Sequence, residues 1–151
     1  MCRLSRRRLL QAGGTAVLGG LAGCSGVVSP LSTGESHLGE VHIENRDTTA
    51  HEVTLRVEWE NEVVHDRTYT LVANDPAAEG VPSERPAATW PAEAGDFRVM
   101  ARLDAGDWQT VTPEEAGYPD CYGALVYIEK TGQMAILTTT NSSWCPRSSD
   151  D

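Results

Sequence analysis

Apolar and polar residues alternate with a period of two along most of this chain, the spacing that puts successive side chains on opposite faces of a strand. Val53, Leu55, Val57 and Trp59 alternate with Thr54, Arg56 and Glu58 in the clearest such run. Asn61-Glu62 follows, and Val63 to Leu71 resumes the pattern with Tyr69 and Leu71 directed inward, so the two runs predict a β-hairpin. Val41 and Ile43 share a face of the run Gly39 to Asn45, and polar Arg46 to Thr49 links that run to the hairpin. Further on, Phe97, Val99, Ala101 and Leu103 share a face, Ala105-Gly106-Asp107 turns, and Trp108 to Val111 makes a short return strand. Cys121 to Glu129 carries Leu125 and Tyr127 on one face and Ala124, Val126 and Ile128 on the other, as a strand inside a sheet would. Lys130-Thr131-Gly132 turns it into Gln133 to Thr140.

Two segments break the alternation. Val72 to Ala94 holds Pro76, Pro82, Pro86 and Pro91, too many prolines for a central strand, and predicts a long loop with a short edge strand at Ala87 to Trp90. Thr112 to Asp120 predicts a second loop, in which Thr112-Pro113-Glu114-Glu115 fits a capped helical turn. Strands separated by turns, with no amphipathic helix, predict an all-β fold: an antiparallel β-sandwich of about seven strands over residues 39–151.

The first residues have a different character. Arg3, Arg6, Arg7 and Arg8 form a positive start, and Leu9 to Leu21 is apolar or small apart from Gln11 and Thr15. That stretch is shorter than the roughly 20 residues a helix needs to cross a bilayer, so it fits an export signal over residues 1–23. Ser5-Arg6-Arg7-Arg8-Leu9-Leu10 resembles the twin-arginine translocation motif, with Arg6 and Arg7 as its paired arginines. Leu21-Ala22-Gly23-Cys24 resembles a lipobox, which implies cleavage before Cys24 and a lipid on its thiol. The resemblance implies a folded, exported protein held at the outer face of the cell membrane, with residues 24–38, rich in Ser, Gly and Pro, as its tether.

Charge sharpens that picture. The chain has 12 basic and 22 acidic residues, a net charge of −10. Four of the arginines lie in the signal, so the mature part is more acidic still, and Lys130 is the chain's single lysine. Dispersed carboxylates with almost no lysine resemble proteins of salt-loving archaea. Such a charge argues against nucleic acid as a partner. The segments Ile43 to Asp47, Val53-Thr54-Leu55, Tyr69-Thr70-Leu71, Trp90-Pro91 and Gly95 to Val99 resemble the immunoglobulin-like domains of haloarchaeal lipoproteins. With Cys2 removed and Cys24 lipidated, Cys121 and Cys145 remain in an oxidising compartment, which predicts a disulfide. Free thiols or metal ligands are the alternative.

Chemistry-bearing motifs are sparse. His37, His42, His51 and His65 show no metal-ligand spacing, none follows His65 to build a copper site with Cys121, and at most His42 and His51 face each other across neighbouring strands. No Gly-x-Ser-x-Gly elbow is present. Asp104 and Asp107 flank a turn without the order of a calcium loop. Trp90, Trp108, Tyr118, Tyr122 and Trp144 fall in or beside loops, where aromatics either cap the core or form a binding surface. Asn141-Ser142-Ser143 is an acceptor sequence for N-glycosylation. The expectation is a non-catalytic surface module without cofactor or metal. It would be held to the membrane by Cys24 and would bind a partner protein or envelope component through Trp90, Trp108, Tyr118 and Trp144. A small metal- or redox-associated lipoprotein, or an accessory subunit of a membrane enzyme or transporter, is the alternative.

Overall fold

The computed structural model describes residues 35–117 and 119–145. Arg6, Arg7, Cys24 and Tyr118 lie outside the described residues. In chain order the strands are β1 (His37–Asn45), β2 (His51–Trp59), β3 (Glu62–Leu71), β4 (Ser83–Glu84), β5 (Phe97–Leu103), β6 (Gln109–Val111), β7 (Cys121–Ile128) and β8 (Met134–Thr139). They form two four-stranded sheets, ordered β4-β1-β7-β8 and β3-β2-β5-β6.

The alternating residues meet between the sheets. Leu38, Val41, Ile43, Tyr122, Ala124, Val126 and Ile128 from the first sheet pack with Val53, Leu55, Val57, Leu71, Phe97, Val99 and Ala101 from the second, all buried in one cluster. Tyr69 and Leu103, also expected inside, are only partly buried against it. The interior position of β7, paired with β1 on one side and β8 on the other, matches its two apolar faces.

The pairing is not wholly antiparallel. β1 and β7 run parallel, from His37 opposite Cys121 to Asn45 opposite Ile128. A tight turn forces its two strands antiparallel, but β1 and β7 are joined only through the whole second sheet, which frees their relative direction.

Four local expectations shift. The β2–β3 turn centres on Glu60 and Asn61, at φ 50° and 66°, one residue earlier than the sequence suggests. Positive φ at both central residues is the two-residue hairpin geometry that follows strand twist, and Glu60 is held there by its amide on the Asp96 carbonyl and its carboxylate on the Asp96 amide. The short edge strand is Ser83–Glu84 rather than Ala87–Trp90. Ile43 faces Glu84 and Glu44 faces Ser83, so continuing that register brings Pro86 opposite Val41, and proline has no N–H to extend the ladder. Strand β1 also begins before residue 39, at His37. Ser36 and Gly95 exchange backbone hydrogen bonds of 3.2 and 3.1 Å, the His37 amide donates to the Asp120 carbonyl, and Leu38 joins the core. The expected helical turn at Thr112–Ala116 is a run of hydrogen-bonded turns, with the Thr112 amide and hydroxyl both donating to the Glu115 carboxylate.

Asn45 and Tyr122 are buried side chains with polar groups that the sequence did not place inside. Asn45, fully buried at the end of β1, donates through Nδ2 to the Thr49 and Val72 carbonyls and accepts from the Asp47 amide through Oδ1. Its amide group thus replaces the backbone partners that the β1–β2 loop and the end of β3 lack. Asn45→Ala is expected to destabilise the fold by about 2–3 kcal/mol, since truncation strands buried partners. A urea midpoint unchanged from wild type would contradict this role. Tyr122 is fully buried too, although the sequence placed it beside a loop. Burial, followed by the charges of Glu115 and Asp96, pushes its phenol pKa up.

Candidate binding groove

Where β4 stops, a groove of about 390 Å³ opens along the start of β1. One wall is β1 from Leu38 to His42, a second is the loop from Arg85 to Ala92, and the third is Trp144 with Cys145. The Pro86 break that ends β4 therefore also creates this site.

Trp90 sets the loop wall. Trp90 is 7% exposed and its Nε1–H donates to the Leu38 carbonyl at 3.3 Å. The His65 ring meets it edge-on, with centroids 5.5 Å apart. His65 is itself buried and fixed at both nitrogens. Thr89 Oγ1 donates to the Val64 carbonyl, so it accepts from His65 Nδ1–H, and His65 Nε2 accepts from the Tyr69 hydroxyl. Burial, with the nearby Arg67 charge, lowers the His65 pKa, a shift that favours the neutral ring. His65 shares its parity along β3 with Tyr69 and Leu71, a signal for its inward position that the sequence contained.

Trp144 sets the outer wall. It ends a single 3-10 turn, Ser142–Trp144, begun by Asn141, whose Oδ1 accepts from the Ser143 amide. Its indole stacks on His42 with centroids 3.8 Å apart. His42 Nε2–H donates to Glu40 Oε2 at 2.7 Å, orienting the ring beneath the indole. Close approach of the tail needs two glycines. A Cβ on Gly123 would lie 2.7 Å from Trp144 Cε3, and one on Gly39 would collide with the Trp144 carbonyl oxygen. Cys145 is joined to Cys121 by the expected disulfide, with Cα atoms 6.0 Å apart, so the tail is bonded to the first residue of β7.

The aromatic set thus divides. Trp90 and Trp144 share the groove, whereas Trp108 lies by the other sheet with the Arg56 and Arg102 guanidinium carbons each 4.8 Å from its ring centre. Asn141 is exposed at the rim of the tail. His42 and His51 do not face each other, because β1 and β2 belong to different sheets. Asp104 is engaged by His51 and the Glu52 amide instead of shaping a cation site with Asp107.

The groove lining contains no Ser, Thr, Tyr or Lys, and the sulfur of its one cysteine is in the disulfide. Among the described residues, no group of three or more His, Cys, Asp or Glu side chains converges to hold a metal. Apolar walls with a few polar groups at the rim, Glu40, His42 and Arg85, suit recognition of an apolar side chain or short segment. Comparisons with family models, curated proteins and solved structures returned no match.

Proposed function

We propose that this protein is a lipid-anchored, non-catalytic module of an archaeal cell surface, built on an immunoglobulin-like sandwich, that holds a partner protein or envelope component in the Trp90–Trp144 groove. The observation that carries this reading is the meeting of Trp90 and Trp144, far apart in sequence, on one apolar groove held open by Pro86 and by the disulfide-bonded tail. Aromatic residues in partly enclosed pockets are where binding energy concentrates. The mostly apolar lining, with Leu38, Val41, Pro86, Ala88 and both tryptophans, is what supports binding as its role. The twin-arginine and lipobox resemblance supports the location, with Arg6 and Arg7 read by the export machinery and Cys24 carrying the lipid.

The test is photo-crosslinking in native membranes with a reactive group at Ala88, in the groove, or at Thr68, on the other sheet. A discrete product at Ala88 that is weakened at least tenfold by Trp144→Ala, and no product at Thr68, is the expected pattern. Equal labelling at both positions, or labelling at neither, would remove the groove from the proposal. In the same preparations Cys24→Ser should move the protein from the membrane pellet to the soluble fraction; continued pelleting would remove the anchor.

A further inference from the structure

At the far end of the sandwich from the groove's tail, His51 begins β2 with a carboxylate on each ring nitrogen. Its Nδ1–H donates to Asp104 Oδ2 at 2.6 Å and its Nε2–H donates to Asp47 Oδ2 at 2.7 Å. Only the imidazolium carries both protons. The His51 and Asp47 side chains are 10% and 13% exposed, so water competes weakly for their bond. The three residues come from separate segments: Asp47 from the β1–β2 loop, His51 from the strand, and Asp104 from the β5–β6 turn, where its φ is 46°. Each carboxylate residue is tied further. Asp104 Oδ1 accepts from the Glu52 amide at 2.9 Å, and the Asp47 carbonyl accepts from the Asn74 amide at 2.8 Å.

We propose that the Asp47–His51–Asp104 bridge is a pH-operated latch, which ties the β1–β2 loop to the β5–β6 turn while the imidazole is charged and lets one of them go when it is neutral. On giving a proton to water, the ring keeps one N–H. Its other nitrogen then turns a lone pair toward a carboxylate oxygen less than 3 Å away, and an attractive contact becomes repulsive. The charged groups around the ring are few. Asp47 and Asp104 face it directly and Glu52 is its exposed neighbour on β2, while β3 places apolar Leu71 opposite. The β7–β8 turn brings Gly132 against Asp47 and carries the exposed Lys130.

The sign follows from these contacts. Burial alone lowers the His51 pKa, but the hydrogen bonds to Asp47 and Asp104 and both negative charges outweigh it and leave the pKa raised. Burial likewise raises the Asp104 pKa, but the Glu52 amide and His51 outweigh it and leave the carboxyl below its usual range. The stabilisation from His51 is therefore complete below the free imidazole value of about 6.5. It is lost as pH rises through the higher pKa of the folded state. On the acid side, the contribution of Asp104 is lost as pH falls through its depressed pKa.

An NMR titration of the His51 ring in the full chain, paired with hydrogen exchange of the amides of Thr49 to Glu52 and Asp104 to Gly106, tests the latch. The expected midpoint for His51 lies above 6.5, and protection at these amides, corrected for intrinsic base catalysis, falls at least tenfold across it. Asp104→Asn should lower the midpoint, and His51→Gln should abolish the step in protection. A wild-type midpoint at or below the free value, or equal protection on both sides of it, overturns the proposal. The wild-type titration decides this even where a variant fails to fold, and independently of whether the groove binds anything.

Discussion

Replacing both Cys121 and Cys145 by Ser is expected to lower the unfolding free energy by about 3.5 kcal/mol and the melting temperature by on the order of 15 °C. The bond closes a loop with a sequence separation of 24, and the figure follows from the entropy that such a loop removes from the unfolded chain. Against a typical domain stability of about 5–15 kcal/mol, that is a large share. The loss has a local consequence too. Trp144 immediately precedes Cys145, so its stack on His42 lies beside the covalent link that ties the tail to β7. The double variant should therefore lose partner capture under conditions where it remains folded, whereas Asn45→Ala, remote from the groove, should lose stability without that specific loss. Denaturant unfolding of the oxidised protein and the variant checks the magnitude. A difference below about 1 kcal/mol would mean that the bond does not constrain the unfolded chain.

Phe97→Ala should cost about 3–5 kcal/mol. Phe97 is the chain's single phenylalanine, fully buried at the start of β5 and in register with Trp59 of β2. Truncation deletes the whole ring from the core between the two sheets, and the backbone of β5, held by its ladder with β2, cannot collapse into the space. Phe97→Leu, which keeps most of the volume, should lose about 1.5 kcal/mol or less. Chemical denaturation of the two variants separates the contributions. Equal losses would show that ring shape, and not volume, is what the core requires.

His51 and His65 illustrate how little a residue type says without its neighbours. Both sit on the hairpin of β2 and β3, fourteen positions apart, yet their surroundings push their pKa values in opposite directions, up for His51 and down for His65. Carboxylates from two loops surround His51, whereas Thr89 and Tyr69 surround His65 with a neutral donor and a neutral acceptor pattern. The sequence contained both residues and, for His65, even the inward parity. It did not contain the identity of the groups that folding would bring against them.

Much of the framework was legible because strand burial is a short-range signal. Val53 to Trp59 and Phe97 to Leu103 announce their inward faces residue by residue, the two apolar faces of Cys121 to Ile128 announce its place inside a sheet, and the cysteine pair follows from counting once the first segment is set aside. The elements that resisted are those with little local signal. The two-residue β4 is defined by its pairing with Ile43 and Glu44, the first residues of β1 by bonds to Gly95 and Asp120, and the parallel direction of β1 beside β7 by a route through the other sheet.

The sequence by itself determined an all-β chain, the inward faces of β2 and β5, the Cys121–Cys145 pair and a strongly acidic net charge, because alternation, cysteine count and charge are properties of residues in order. Only the tertiary structure decided that Trp90 and Trp144 share one groove while Trp108 stands apart, and that Asp47 and Asp104 close on the two sides of His51. Those are meetings between distant segments, set by sheet order and by the point where Pro86 ends a ladder, and neither is written in the spacing of neighbouring residues.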